Sequence, residues 1–539
     1  METKARIENG IVYSPYPNIS IPETSLAAFL KSYIQKHGDK VAMVDGTQQW
    51  TFSDVERSIE RYAAGFQSIG LQKGDKVCVH FGNTSDNLLA MHGIIAAGGT
   101  VVCCKPTLTP RELSYQLSDS ECTYILTDRQ NADKVAQVKD KHQLKALLSM
   151  EALPGFFSVQ QFTDTPGPGF KPVDVEKPME DVAALLYTSG TTGLPKGAQL
   201  THYGLVACIA QSLHSYHINE GDVILNRAPI THTSGFTLCM SYFAYGATIV
   251  MGQPAMSVPE FVETVNKYKV SSAVLFPTQL KVFVDSMETQ GHRTPSIQNI
   301  IIGGSCISPS LAEKTLKLCN LTTLKNVYAL TEACGITCAT PSSAIAYDTI
   351  GVPGVMVQAK ILDIGTGRIL GPGESGELVV KLPNVMKGYY KRPEATAEVL
   401  TADGWLRTGD CAYYDENGWF YFVERLKDMI KCMDNQLAPA EIEEVLLSHE
   451  AVAEATVVGI PDSRYGEAPT AFVVLKAAFQ GDPETVKAQL HELVQLACAK
   501  YKHLYGGIHF VDRLPKTETG KVQRAALRQA RMATNENNQ

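Results

Sequence analysis

Along the chain, apolar and polar positions switch repeatedly between a helical spacing and short continuous apolar runs. Apolar residues recur at helical spacing over residues 26–34, 53–69 and 83–97. Between them lie a hairpin-like pair around residues 41–52 and compact apolar runs at 77–81 and 101–104, the pattern of buried strands. Such alternation builds layered α/β structure with helices packed on a largely parallel sheet. Residues 133–162 are weakly patterned, and the Pro/Gly-rich stretch 163–178 reads as a surface linker. The alternation then resumes, with strands expected at 223–227, 247–251, 272–276, 299–302 and 323–328. Over residues 354–415 short strands are punctuated by turns such as Gly365-Thr366-Gly367 and Gly371-Pro372-Gly373, which predicts a β-rich subdomain. A last alternation places a helix at 439–447, strands at 453–460 and 468–475, and a helix at 484–499.

A chain of 539 residues is too long for one core, so at least two domains are expected. The net charge of −8 gives no basic footprint, which argues against nucleic acid as a partner. Thirteen cysteines are scattered without a C-x-x-C pair and read as reduced thiols. Residues 1–24 carry charges and prolines with no apolar core, unlike a secretory leader. The longest apolar run, 88–104, is interrupted by His92, Gly93, Gly98, Gly99 and Thr100 and falls short of the roughly 20 residues of a membrane span. The chain ends Glu536-Asn537-Asn538-Gln539, not an S-K-L type address. A cytoplasmic protein is expected, and nothing in the pattern speaks to its oligomeric state.

The chemistry concentrates at Tyr187 to Ala198, Y-T-S-G-T-T-G-L-P-K-G-A, which is expected to form a loop between two strands. Gly190, Gly193 and Gly197 let backbone approach an anion, the hydroxyls of Thr188, Ser189, Thr191 and Thr192 donate hydrogen bonds, and Lys196 adds a full positive charge. The segment therefore reads as a phosphate grip. It is not an ordinary P-loop, because Pro195 precedes Lys196 and Gly197 follows it, leaving neither a hydroxyl for magnesium nor a helix start in place. A Gly/Ser/Thr-rich surface turn would share the composition but has no use for the lysine.

Three more loops follow expected strands, on the edge of an open sheet where ligands bind. The first carries His232 in Ala228-Pro229-Ile230-Thr231-His232-Thr233-Ser234-Gly235. The second is Gly303-Gly304-Ser305, bare backbone suited to a flat adenine face and equally to a plain turn. The third is Tyr328-Ala329-Leu330-Thr331-Glu332, whose carboxylate beside a hydroxyl suits magnesium, a cation that prefers carboxylates with substrate phosphates.

With these motifs in this order, the chain from about Ser25 to its end resembles the AMP-forming adenylating enzymes: acyl-CoA synthetases, 4-coumarate-CoA ligases, beetle luciferases and peptide-synthetase adenylation domains. The resemblance implies roles for the grip, for His232 beside the acyl pocket, for Gly303, Gly304 and Ser305 as an adenine shelf, and for Tyr328, Ala329, Leu330 and Thr331 around the nucleotide. It implies Glu332 and Thr192 for magnesium. Gly404-Trp405-Leu406-Arg407-Thr408-Gly409-Asp410 is similar to the family's ribose motif and assigns Asp410 to the ribose hydroxyls. Glu424-Arg425-Leu426-Lys427-Asp428-Met429-Ile430-Lys431 is similar to its arginine-plus-hinge segment. Arg425 then contacts ribose or phosphate, Lys431 joins the cofactor-binding set, and Lys427 is the hinge between an N-terminal domain, 1–426, and a small mobile C-terminal α+β domain, 427–539. Leu514-Pro515-Lys516-Thr517-Glu518-Thr519-Gly520-Lys521 resembles the closing motif, whose lysine, here Lys521, bridges the substrate carboxylate and the nucleotide.

Expected catalytic residues are thus Lys521, Lys196, Glu332 and His232, and expected small molecules are ATP, Mg²⁺, coenzyme A and a carboxylic acid. The acid is activated as an acyl-adenylate and transferred to coenzyme A; the alternative is a luciferase-like or adenylate-only enzyme. Three positions depart from the family pattern. Ala329 replaces a glycine, Thr231 stands where luciferases have a second histidine, and Asp434 replaces a glycine in the loop presented for thioester formation. No carboxylate other than Glu332 lies in the His232 or Tyr328 loops, so amino acids are disfavoured and an apolar or aromatic acid is expected.

Overall fold

The computed structural model describes residues 4–164, 171–188, 194–215, 218–304, 307–341, 345–433, 435–477, 479–517 and 520–536. Two large sheets dominate. One has seven strands, in the order Lys196–Thr201, Val182–Thr188, Thr100–Cys103, Lys76–His80, Tyr124–Thr127, Ala146–Ser149, Phe157–Ser158, all parallel except the first pair. The other has nine strands, and its six central ones, Thr323–Leu330, Asn299–Gly303, Ser272–Leu275, Val223–Asn226, Thr248–Met251 and Val41–Asp45, run parallel. The C-terminal ends of these strands form the edge that carries the His232, Gly303 and Tyr328 loops.

Helices fill the space between the two sheets. Ser85–Ala96 is buried on nearly every face, as expected of a helix that is apolar all round. It lies so close to the helix Phe52–Ser68 that a Cβ on Gly93 would sit 2.4 Å from Tyr62 Cβ. The helix Thr233–Tyr245 joins the same core through Phe236 and Phe243, which pack on the His92 ring. No helix among the described residues is long and apolar enough to cross a membrane, and all the described cysteines are free thiols.

The β-rich region expected at 354–415 is a six-stranded antiparallel sheet that runs on to Phe420–Arg425. It also recruits the chain's beginning, with Ile11–Tyr13 pairing Gln358–Leu362, a partnership no local pattern announces. The hairpin Val41–Asp45 and Gln48–Thr51 behaves likewise. Rather than joining its neighbours in sequence, it caps the nine-stranded sheet beside Thr248–Met251. The final 110 residues or so form a five-stranded sheet covered by Pro439–Leu447, Pro483–Ala497 and Arg524–Glu536, around its own core of Ile430, Ile442, Val457, Ala471 and Leu490.

Candidate active site

The phosphate grip is a hairpin. Val182–Thr188 and Lys196–Thr201 pair antiparallel up to Thr188 opposite Lys196, so the loop is shorter than the expected twelve residues. Tyr187 is held in its strand because its hydroxyl donates to Asp119 Oδ2 at 2.9 Å and its ring lies over Gly197. Tyr115 fixes the far end by donating to the Pro195 carbonyl at 2.9 Å. Ser189, Gly190, Thr191, Thr192 and Gly193 lie outside the described residues. Of the grip's flanks, Thr188 carries a buried hydroxyl near Tyr389 and is aligned by the strand pairing with Lys196.

Lys196 meets Glu332 through a residue that the sequence reading missed. The segment 387–390 adds to the outer side of Lys196–Thr201, through Gln199 N to Gly388 O at 3.0 Å and Tyr390 N to Gly197 O at 2.8 Å. That places the Tyr389 ring 5.3 Å from Lys196 Nζ, in the range of a cation–π contact, while the Tyr389 hydroxyl donates to Glu332 Oε1 at 2.8 Å. Glu332 is further anchored by its own carbonyl, which accepts from Met386 N at 2.8 Å. One carboxylate oxygen is thus committed to Tyr389, and among the described residues the other makes no hydrogen bond. No cluster of three or more His, Cys, Asp or Glu side chains that could cage a metal exists among the described residues, so magnesium would take Glu332 together with substrate phosphates, its usual mode. The Glu332 carboxylate suits that cation, and the Lys196 ammonium on the other side of Tyr389 suits a phosphate.

On the other side of the cleft, Tyr328 is buried and donates to Asp410 Oδ2 at 2.5 Å. Asp410 stands directly opposite Arg425 in the strand pairing, with Arg425 Nε 3.7 Å from its Oδ1. Burial pushes the Asp410 carboxyl above its ordinary range, opposed chiefly by the Arg425 charge and the Tyr328 hydrogen bond. Ala329 is exposed and Leu330 half-buried at the end of their strand, and Thr331 shares a hydrogen bond of 2.8 Å with Thr233. His232 caps the helix Thr233–Tyr245: its Nδ1 accepts from Ser234 N at 3.3 Å and lies 2.9 Å from Ser234 Oγ. A ring nitrogen that accepts carries no proton, so the proton is on Nε2. Burial, and then the charges of Lys105 and Lys521, lower the His232 pKa to about 3, so it acts as a neutral imidazole.

Gly304 has φ of 85°, a conformation glycine adopts freely, and a Cβ there would sit 2.9 Å from the Phe276 ring and 3.6 Å from Lys521 Cε. Lys521 of the small domain therefore reaches the Gly304 loop of the large one. Its loop is tied by Thr517 N to Lys521 O at 2.7 Å and Lys521 N to Thr517 Oγ1 at 3.1 Å. Gly520, at φ of 80°, packs so tightly on Thr278 that a Cβ would lie 2.2 Å from its hydroxyl. Burial, followed by the repulsion of Arg425, lowers the Lys521 pKa to about 8; Lys105 and Lys427 act the same way and Asp410 opposes them. The cleft thus gathers Lys521, Arg425 and Asp410 on one side and Lys196, Tyr389 and Glu332 on the other. Lys431 is not among them: it is exposed on the small sheet, where its N–H donates to Glu467. Ser305 and Asp434 lie outside the described residues.

Two large sheets, a hairpin grip and a lysine delivered from a separate C-terminal unit make a two-domain α/β architecture. Residues 30–390 match the model of the AMP-binding enzyme family and residues 441–521 that of the AMP-binding enzyme C-terminal domain. The chain belongs to this acyl-adenylate-forming family and is a ligase of it. It is 31% identical to a probable 4-coumarate–CoA ligase 3 of Dictyostelium discoideum, over 97% of this chain and 98% of that one. To a luciferin 4-monooxygenase of Nipponoluciola cruciata it is 32% identical over 98% of each. The ATP-bound structure of MatB from Rhodopseudomonas palustris superposes with a TM-score of 0.84 at 26% identity, covering 94% of this chain and 98% of that chain.

Proposed function

We propose that this protein is an ATP-dependent, AMP-forming acyl-CoA ligase for an apolar or aromatic carboxylic acid. The observation that carries the reading is the position of Lys521, inserted from the small domain against Gly304 and within the electrostatic reach of Asp410 and Arg425. A carboxylate is a poor electrophile; attack of its oxygen on the α-phosphorus of ATP forms a P–O bond, breaks the bond to pyrophosphate and yields an acyl-adenylate whose AMP leaves readily. No protein nucleophile is required, so catalysis is positioning and charge neutralisation. Lys521 offsets charge between the two reacting anions, Lys196 and the grip hydroxyls hold the outgoing phosphates, Asp410 accepts from the ribose hydroxyls, and neutral His232 orients the acid through Nε2–H. Magnesium, held by Glu332 and Thr192, would neutralise phosphate charge. In the second step the small domain, 427–539, turns about Lys427, withdraws Lys521 and admits the thiol of coenzyme A.

The test separates the half-reactions. Lys521→Ala should abolish most pyrophosphate release from ATP and acid yet spare acyl-CoA formation from supplied acyl-adenylate. Equal loss in both steps would refute the role of Lys521. A luciferase-like enzyme would instead release pyrophosphate and make little acyl-CoA.

A further inference from the structure

The segment 387–392 runs along the outer edge of the grip hairpin and carries Tyr389 between Lys196 and Glu332. What holds it there lies at the end of the helix Pro110–Ser120. Asp119, in the last turn, serves both sides of that edge: its Oδ2 accepts from the Tyr187 hydroxyl at 2.9 Å and its Oδ1 from the Arg392 guanidinium. Two residues on, Glu121 accepts from the Tyr390 hydroxyl at 2.7 Å and from the Lys391 ammonium. The three residues that follow Tyr389 are thus all tied to one helix end. The same helix holds the far end of the hairpin, through Tyr115 and the Pro195 carbonyl.

Local chemistry argues against acids in this place. The C-terminal end of a helix presents unpaired carbonyl oxygens, which repel a carboxylate beside them, and this helix has no basic residue of its own in the last turn. Glu121 also takes a left-handed backbone, with φ of 56°, which a residue with a Cβ adopts only at a cost. Where two local rules are broken together, the compensation lies in what the segment holds. Asp119 is not a solvated surface acid either: its side chain is 6% exposed, and both of its oxygens are engaged by the two donors. Strand pairing joins Tyr389 rigidly to this clamp, so a shift of the edge would carry its ring away from Lys196 and its hydroxyl away from Glu332.

We propose that Asp119 is a positioning residue for MgATP: by holding Tyr187 on one side and Arg392 on the other, it fixes Tyr389 and with it the spacing of Lys196 and Glu332. The inference rests on the ATP-dependent reading above. Asp119 acts through these neighbours alone, so its loss should weaken the hold on magnesium and phosphate while sparing the acid and the thioester step.

MgATP binding to the full-length protein should be measured by calorimetry, alongside initial rates of pyrophosphate release at varied ATP, magnesium and acid. Asp119→Asn keeps the size of the side chain but turns an N–H₂ toward one of its two donors. It should weaken MgATP binding and raise the KM for MgATP by about three- to tenfold, the scale of one hydrogen bond, and raise the magnesium requirement in step. The KM for the acid, and acyl-CoA formation from supplied acyl-adenylate, should stay within about twofold of the wild type. Arg392→Gln, at an exposed position, should reproduce the loss, which covers the case in which the first variant fails to fold. The double variant should lose no more than about the larger single loss, because both changes cut the same contact. MgATP binding unchanged in the folded variants, or a comparable loss in the acid KM and the thioester step, overturns the assignment of Asp119. A wild type that neither binds MgATP nor releases pyrophosphate would overturn the ATP-dependent reading itself, and this inference with it.

Discussion

Raising the pH should switch off adenylation by neutralising one lysine. Lys521 enters a half-buried site already occupied by Arg425, and burial with that repulsion brings its pKa to about 8 from the ordinary 10.5. The charged fraction then falls from about nine-tenths at pH 7 to about one-tenth at pH 9, close to tenfold. If the charged ammonium is what bridges carboxylate and α-phosphate, kcat/KM for ATP, which reports ionisations of the free enzyme, should fall by about the same factor and break near pH 8. Bound ATP adds negative charge beside the lysine and should push the break in kcat to higher pH. The assay is the initial rate of pyrophosphate release from pH 7 to 10 at limiting ATP, with parallel measurements on Lys521→Arg. A guanidinium stays charged throughout this range, so the variant should be slower but lack the break. A wild-type profile flat between pH 7 and 9, or the same break in Lys521→Arg, would refute the reasoning.

Tyr389→Phe removes the hydroxyl that orients Glu332 and should raise the magnesium concentration for half-maximal adenylation by about two- to tenfold, the range of one hydrogen bond; an unchanged requirement would argue against the Tyr389–Glu332 contact. Glu424 is held protonated to about pH 7 by burial, although Arg524, which binds Glu443 through two contacts of 2.9 Å, lies 3.4 Å away. A carboxyl raised above its unfolded value near 4.5 contributes stability that is complete below pH 4.5 and lost as pH rises through about 7. The wild type should therefore lose more Tm between pH 5 and 8 than Glu424→Gln, and equal losses would count against this. Asp434→Gly should change coenzyme A kinetics modestly and leave pyrophosphate release alone; a sharp rise in acyl-CoA output would mean that the aspartate obstructs the thiol.

The strands that carry the site were readable because they are short apolar runs buried on both faces. Those expected at 223–227, 272–276 and 299–302 appear as Val223–Asn226, Ser272–Leu275 and Asn299–Gly303. The helix at 439–447 appears as Pro439–Leu447, marked by its proline at the first turn. What stayed hidden depends on distant pairing. The hairpin at Val41–Asp45 is apolar enough for either sheet, and only its partner Thr248–Met251, some 200 residues on, decides. Within the site, charged residues in motif loops were legible, whereas Tyr389 sits in a Gly-Tyr-Tyr segment with no chemical signature and is brought between Lys196 and Glu332 by edge pairing with Gly197 and Gln199. Lys105 was missed for the same reason. It follows Thr100–Cys103, and only the parallel alignment of that strand with Val182–Thr188 brings it to the cleft, where its charge reaches His232 and Lys521.

The central claim is that ATP, a carboxylic acid and coenzyme A become AMP, pyrophosphate and a thioester in two separable steps. The most direct measurement follows all the products at once, incubating the full-length protein with ATP, magnesium and a panel of aromatic and alkyl acids, with and without coenzyme A. With coenzyme A the account predicts AMP, pyrophosphate and acyl-CoA in equal amounts, and without it pyrophosphate with acyl-adenylate and no acyl-CoA; pyrophosphate and acyl-adenylate without acyl-CoA when coenzyme A is present, or ADP and phosphate in place of AMP, would contradict it.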